Sequence, residues 1–72
     1  MTITEIRNEI STFNNTVFMH AEINDTFVNV VFGATKFAAA GVENLFEETF
    51  FMFNENKPGT YCMTFLATEI EF

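Results

Sequence analysis

His20 and Cys62 are the single imidazole and the single thiol of a 72-residue chain, so nucleophilic chemistry here would have to run through that pair. A cysteine nucleophile needs a base within hydrogen-bond reach, a group to orient that base, and donors for the developing oxyanion. No spacing around either residue supplies these parts. The bland reading is that Cys62 packs on a strand as a small hydrophobe and His20 sits partly exposed on another. One thiol also excludes an intramolecular disulfide, and four Cys or His ligands for a structural zinc do not exist unless subunits share them.

The carboxylates are the other chemistry-bearing groups. They fall as Glu5 with Glu9, Glu47-Glu48, Glu69-x-Glu71 and the Asn24-Asp25 dipeptide. A carboxylate pair could serve as general acid and base or bind calcium. The first role needs a cleft that so short a chain hardly forms, and the alternating Asp/Asn pattern with a central Gly of a calcium loop is absent. Solvated surface is the ordinary use of such residues, with Glu69 and Glu71 protecting an edge strand as one form of it. No catalytic, metal-ligating or cofactor-binding residue is assigned.

These residues must be positioned by one domain, because a chain of this length buries only about 60% of the surface its unfolded form exposes. Thr2-x-x-Glu5 reads as a capping box, and Ile3, Ile6, Ile10 and Phe13 follow at helical spacing. Asn14-Asn15 closes this helix, since Asn tolerates the left-handed conformation. From Thr16 the period changes to two. Val17, Met19, Ala21 and Ile23 then face one way and Phe18, His20 and Glu22 the other, with Asn24-Asp25 as a two-residue hairpin break. Thr26 to Phe32 alternates again, placing Val28, Val30 and Phe32 opposite Phe27, Asn29 and Val31.

Thr35 can cap a helix from Lys36 to Glu47, although Gly41 inside it costs about 1 kcal/mol relative to Ala. The rival is an extended segment with a turn at residues 41–44. The last third reads as two long strands, Glu48 to Phe53 and Thr60 to Phe72, around a polar turn from Asn54 to Gly59, and the remainder is expected to pack on this hairpin. The expected fold is α+β: a four-stranded antiparallel sheet with an N-terminal helix and a second short helix, in the order α-β-β-α-β-β. A helix on one face leaves apolar residues on the other, so an aromatic patch should be exposed.

Composition sharpens the functional reading. Ten acidic residues against three basic ones give a formal net charge of −7, which opposes direct binding to nucleic acid and suits a basic protein partner. Low AT-codon Lys content argues against codon bias as the cause. The chain is 49% hydrophobic and carries 11 phenylalanines, more than one thin core encloses, so a homodimer or higher homo-oligomer is expected. With no apolar run long enough to cross a bilayer and no N-terminal signal segment, the expected location is the cytoplasm of a host cell. Spread carboxylates can also imitate the charge of DNA in front of a basic groove.

The opening Met1-Thr-Ile-Thr-Glu-Ile-Arg-Asn-Glu-Ile10, followed by Asn15-Thr16-Val17, resembles the start of a small acidic phage anti-CRISPR protein of the kind that inhibits Cas9. The resemblance implies a short N-terminal helix leading into an antiparallel sheet. It also implies an acidic surface occupying the place where the nuclease reads its target DNA. It ends at Val17, and no functional residue is carried over from it.

The leading expectation is therefore a non-enzymatic phage-type inhibitor of a host defence or nucleic-acid-processing protein. Its contacting residues would be Glu5, Glu9, Glu43, Glu47, Glu48, Glu69 and Glu71, with Phe51 and Phe53 as aromatic anchors. The alternatives are a homo-oligomeric assembly protein of a phage, in which Phe-rich sheet faces pack together, and an antitoxin-like regulatory subunit.

Overall fold

Thr2 starts the first helix by exchanging two hydrogen bonds with Glu5. Its hydroxyl accepts from the Glu5 N–H at 3.1 Å, and its own N–H donates to Glu5 Oε1 at 2.8 Å. In the computed structural model, which describes residues 1–71, this capping box opens α1 (Ile3–Ser11). The chain continues through β1 (Thr16–Ile23), β2 (Phe27–Ala34), α2 (Lys36–Phe46), β3 (Met52–Lys57), β4 (Thr60–Leu66) and a 3₁₀ turn (Ala67–Glu69). The α+β class and the order α-β-β-α-β-β are as the sequence implied.

The capping box makes a stability prediction. The backbone N–H of Thr2, and then its hydroxyl, hold the Glu5 carboxyl below its usual value of 4.5. A carboxylate depressed on folding contributes stability that is present above its unfolded pKa and lost as pH falls through the folded one. Thr2→Ala should lower stability by about 1 kcal/mol at pH 7. Thr2→Ala keeps the backbone N–H that donates to Glu5, so the pH dependence is read on Glu5→Ala, whose deficit relative to the parent should shrink below pH 4.5 in urea titrations at descending pH.

Asn15 ends the first segment with φ 64°, the left-handed geometry its carboxamide tolerates. The sheet that follows is fully antiparallel with order β1-β2-β4-β3. Its centre is the long-range pairing of β2 with β4, from Phe27 opposite Leu66 to Gly33 opposite Thr60. The C-terminal hairpin is thus half centre and half edge, and the expectation that everything packs on it gives way to a β2–β4 spine.

Three boundaries differ from the sequence reading. β3 begins at Met52 and runs through Asn54, Glu55 and Asn56 to Lys57, so the turn shrinks to Pro58-Gly59. Gly59 has φ 84°, which lets proline and glycine turn the chain by themselves. β4 stops at Leu66 instead of running to the C-terminus, because residues 67–69 coil into the 3₁₀ turn; Phe72 lies outside the described residues. The first hairpin turn is shifted one residue. The Asn24 N–H donates to the Phe27 carbonyl at 3.0 Å, while Asn24 Oδ1 accepts from Thr26 and Phe27 at 2.9 and 2.7 Å. The side chain thereby takes an acceptor role and Asp25-Thr26 form the tip.

A bulge in β1 overturns the assignment of its faces. Phe18 lies opposite Phe32 and His20 opposite Val31, leaving Met19 as the extra residue. One added residue flips every later side chain, so Ala21 joins Phe18 on the helix side instead of sharing a face with Val17 and Met19.

Both helices lie on the same sheet face. Ile6 and Ile10 from α1 and Val42 and Phe46 from α2 meet Val28, Val30, Phe32, Met63 and Phe65 in one core. Ile70, beyond the 3₁₀ turn, closes its end. The stripe of α2 that faces inward is Ala38, Ala39, Val42 and Phe46, and Leu45 faces solvent. Among the described residues no polar or charged side chain is buried. Gly41 is explained by proximity: a Cβ there would meet the Phe13 ring at 2.9 Å, so its absence lets the end of α1 close against α2.

Candidate interaction surfaces

The two layers divide the chemistry. Glu5 and Glu9 lie on α1 and Glu43 on α2, Glu47 is the C-cap of α2 and Glu48 follows it, and all five are exposed. Glu69 sits in the 3₁₀ turn. Glu71 pairs with Thr2 in an isolated parallel bridge, its N–H donating to the Met1 carbonyl at 2.8 Å. The bridge brings the C-terminal acids beside the Thr2–Glu5 cap, so residues distant in sequence join one end of the helix layer. They do not protect a strand edge, because β4 is central and has ended before Glu69.

Glu5 suits the first turn of α1, but the spacing and positions of the acids otherwise run against helix stability. Glu5 and Glu9, and again Glu43 and Glu47, stand four residues apart, where like charges face each other and destabilise by about 0.2–0.5 kcal/mol a pair. Neither helix carries a basic residue in its last turn, and α2 has no acid in its first. Glu47 and Glu48 instead add negative charge at the negative end of the α2 dipole. The three cations are dispersed. Arg7 covers the Phe18 ring, with Cζ 5.5 Å from the centroid, while Lys36 begins α2 and Lys57 ends β3.

The two aromatic residues expected as anchors are treated differently. Phe51 is 58% exposed, its ring 5.8 Å from that of Phe27 on the sheet face away from the helices. Phe53 turns to the helix side and is half-buried against Phe50, Phe32 and Tyr61, with centroid distances of 5.5, 6.0 and 6.0 Å. It is a rim residue of the core. The sequence reading missed Phe37, which is 91% exposed on the first turn of α2. Phe37 borders a groove of about 340 Å³ lined also by Phe13, Asn14, Asn15, Ala38 and Gly41. Helical spacing carried the signal, because Phe37 falls outside the Ala38–Val42–Phe46 stripe.

His20 and Cys62 share one row of the uncovered sheet face, each paired across to Val31 on the strand between them. Two strand spacings separate them, about 10 Å. That exceeds hydrogen-bond reach. Among the described residues no cluster of three His, Cys, Asp or Glu side chains is arranged to hold a metal ion. No described helix is long and apolar enough to cross a membrane.

Tyr61, buried on the helix side of β4, pairs across the ladder with Glu55. Burial first, and the Glu55 charge second, push its hydroxyl above the usual 10.0. Stability from a raised acid is complete below the unfolded pKa and is lost as pH rises toward the folded one. Because the chain has one Tyr and no Trp, tyrosinate absorbance reads this group alone. Its midpoint should lie above 10 in the native protein and fall toward 10 in denaturant or in Glu55→Gln.

Comparison with protein-family models, curated proteins and solved structures finds no match to this chain.

Proposed function

We propose that the chain is a non-enzymatic inhibitor of the phage anti-CRISPR kind, acting in the host cytoplasm by docking its acidic helix layer on a basic groove of a nucleic-acid-processing protein. The observation that carries this reading is the placement of Glu43, Glu47 and Glu48. They repel one another and oppose the α2 dipole, so folding disfavours the arrangement. Charge kept where it weakens the fold points to a use outside the fold. Glu5, Glu9, Glu69 and Glu71 extend the same surface toward the chain ends.

A partner of this type presents Lys and Arg to phosphates, and carboxylates can occupy the same sites with strong salt dependence. The test is affinity capture with the tagged chain from host cells at low and high salt, followed by challenge with duplex DNA. A basic nucleic-acid enzyme should be retained at low salt, released by salt, and displaced by DNA. A captured partner indifferent to both treatments would refute charge-based docking.

A further inference from the structure

We infer that the sheet face left uncovered by the helices is a self-association surface, on which a second copy of this chain packs face to face. Among the described residues eight large apolar side chains are exposed, and five of them, Val17, Met19, Phe51, Met52 and Leu66, gather on this face. Val31 lies at its centre and is only 7% exposed. Covering the polar groups of the central strands requires no new partner for the Thr64 hydroxyl, which donates to Asn29 Oδ1 at 2.6 Å within the same face.

Charge selects the occupant. Of the ten carboxylates, the ladder register places Glu22 on this face, on edge strand β1. A basic partner would find little to hold here, whereas two copies can approach without bringing their acids together. Face-to-face packing leaves both helix layers outermost with two sheets between them, further apart than the screening length of about 8 Å at physiological salt. The edges are the other route to association, and both are interrupted: β1 by the bulge between Phe18 and His20, β3 by the shift between Glu55 and Lys57. Such interruptions disfavour strand addition and leave the face as the surface for contact.

Size fits a modest dimer. Four strands at about 4.8 Å spacing and seven residues at about 3.3 Å give an outline of roughly 19 by 23 Å. Protruding Met and Val side chains enlarge that outline, but the area stays at or below the low end of specific interfaces, so weak pairing, populated at high protein concentration, is expected. This inference does not rest on the inhibitor reading, and either can fail without the other.

Sedimentation velocity over a range from low to several hundred micromolar tests it. The parent chain should pass from one to two chain masses, while Met19→Lys/Met52→Lys should stay at one mass with unchanged circular dichroism. Phe37→Lys, altering an even more exposed residue on the helix layer, should still pair. Cys62 lies in this face, so its reaction with a thiol reagent should slow at least tenfold as the parent pairs. A parent that stays monomeric throughout would overturn the inference. So would pairing that survives Met19→Lys/Met52→Lys, pairing lost in Phe37→Lys, or Cys62 reactivity indifferent to pairing.

Discussion

Phe32→Ala should leave little folded protein at room temperature. Phe32 is fully buried at the middle of β2, and its ring stands 5.7 Å from Tyr61 and 6.0 Å from Phe53. Deleting a buried phenyl ring costs about 3–5 kcal/mol through lost transfer energy and the cavity left behind. A chain of this length has a total stability of about 4–10 kcal/mol by the usual per-residue range, and its thin core places it low in that range. One substitution therefore removes most of the margin. Circular dichroism on heating, with urea titration where a native baseline survives, should show the transition lowered by more than 15 °C or absent. The same change at Phe37 removes an equally large ring that touches solvent and should shift the melting temperature by no more than a few degrees. Equal losses from the two variants would contradict the division of core from surface described above.

The second large effect concerns the acids of α2. Glu43→Lys/Glu47→Lys/Glu48→Lys should do two things of opposite sign. Folding should gain, because the variant replaces three anions at the wrong end of the α2 dipole by cations at the favoured end, while the i,i+4 repulsion between positions 43 and 47 persists with its sign reversed. At about 0.3–1 kcal/mol per favourable helix-end charge the sum is roughly 1 kcal/mol, a rise of about 4–8 °C in melting temperature. Partner binding should fall. Each exposed ion pair contributes up to about 1 kcal/mol, and reversal replaces attraction by repulsion, so three sites should weaken affinity by roughly 100-fold. The loss should narrow as salt rises. The measurements are thermal denaturation of the two proteins and calorimetric titration of each against the captured partner at two salt concentrations. A variant that melts higher and binds as before would mean that these carboxylates are ordinary solvated surface. A variant that melts lower would remove the argument that the charges are kept at a cost to the fold.

Most of the acids and most of the exposed apolar side chains lie on opposite faces. The helix layer carries Glu5, Glu9 and Glu43, and Glu47 and Glu48 follow α2; the opposite face carries Val17, Met19, Met52 and Leu66. A dimer formed through the sheets would present two acidic helix layers pointing apart, and so two docking surfaces. Docking on the helix layer and pairing through the sheet would then be compatible in one particle.

Sequence alone determined what is written in local, repetitive signals. The Thr2–Glu5 box, the Ile6–Ile10 spacing, the Thr35 cap and the alternation from Phe27 to Phe32 each depend on neighbours within a few residues, and each reappears in the structure. The net charge, the exposure of some phenyl rings and the lack of helix-end cations for the acids are likewise legible from composition and spacing. Tertiary structure decided the rest, because those features depend on residues far apart in the chain. The β1 bulge at Met19 responds to the register that β2 imposes, and alternation within β1 cannot reveal an extra residue. Residues 54–57 are polar enough to read as a loop, yet pairing with β4 holds them extended. Glu69 and Glu71 leave the strand reading because Thr2 captures the backbone beyond the 3₁₀ turn. The position of both helices on one face, which makes one side of the sheet core and leaves the other uncovered, follows from where Ile6, Ile10, Val42 and Phe46 can bury together.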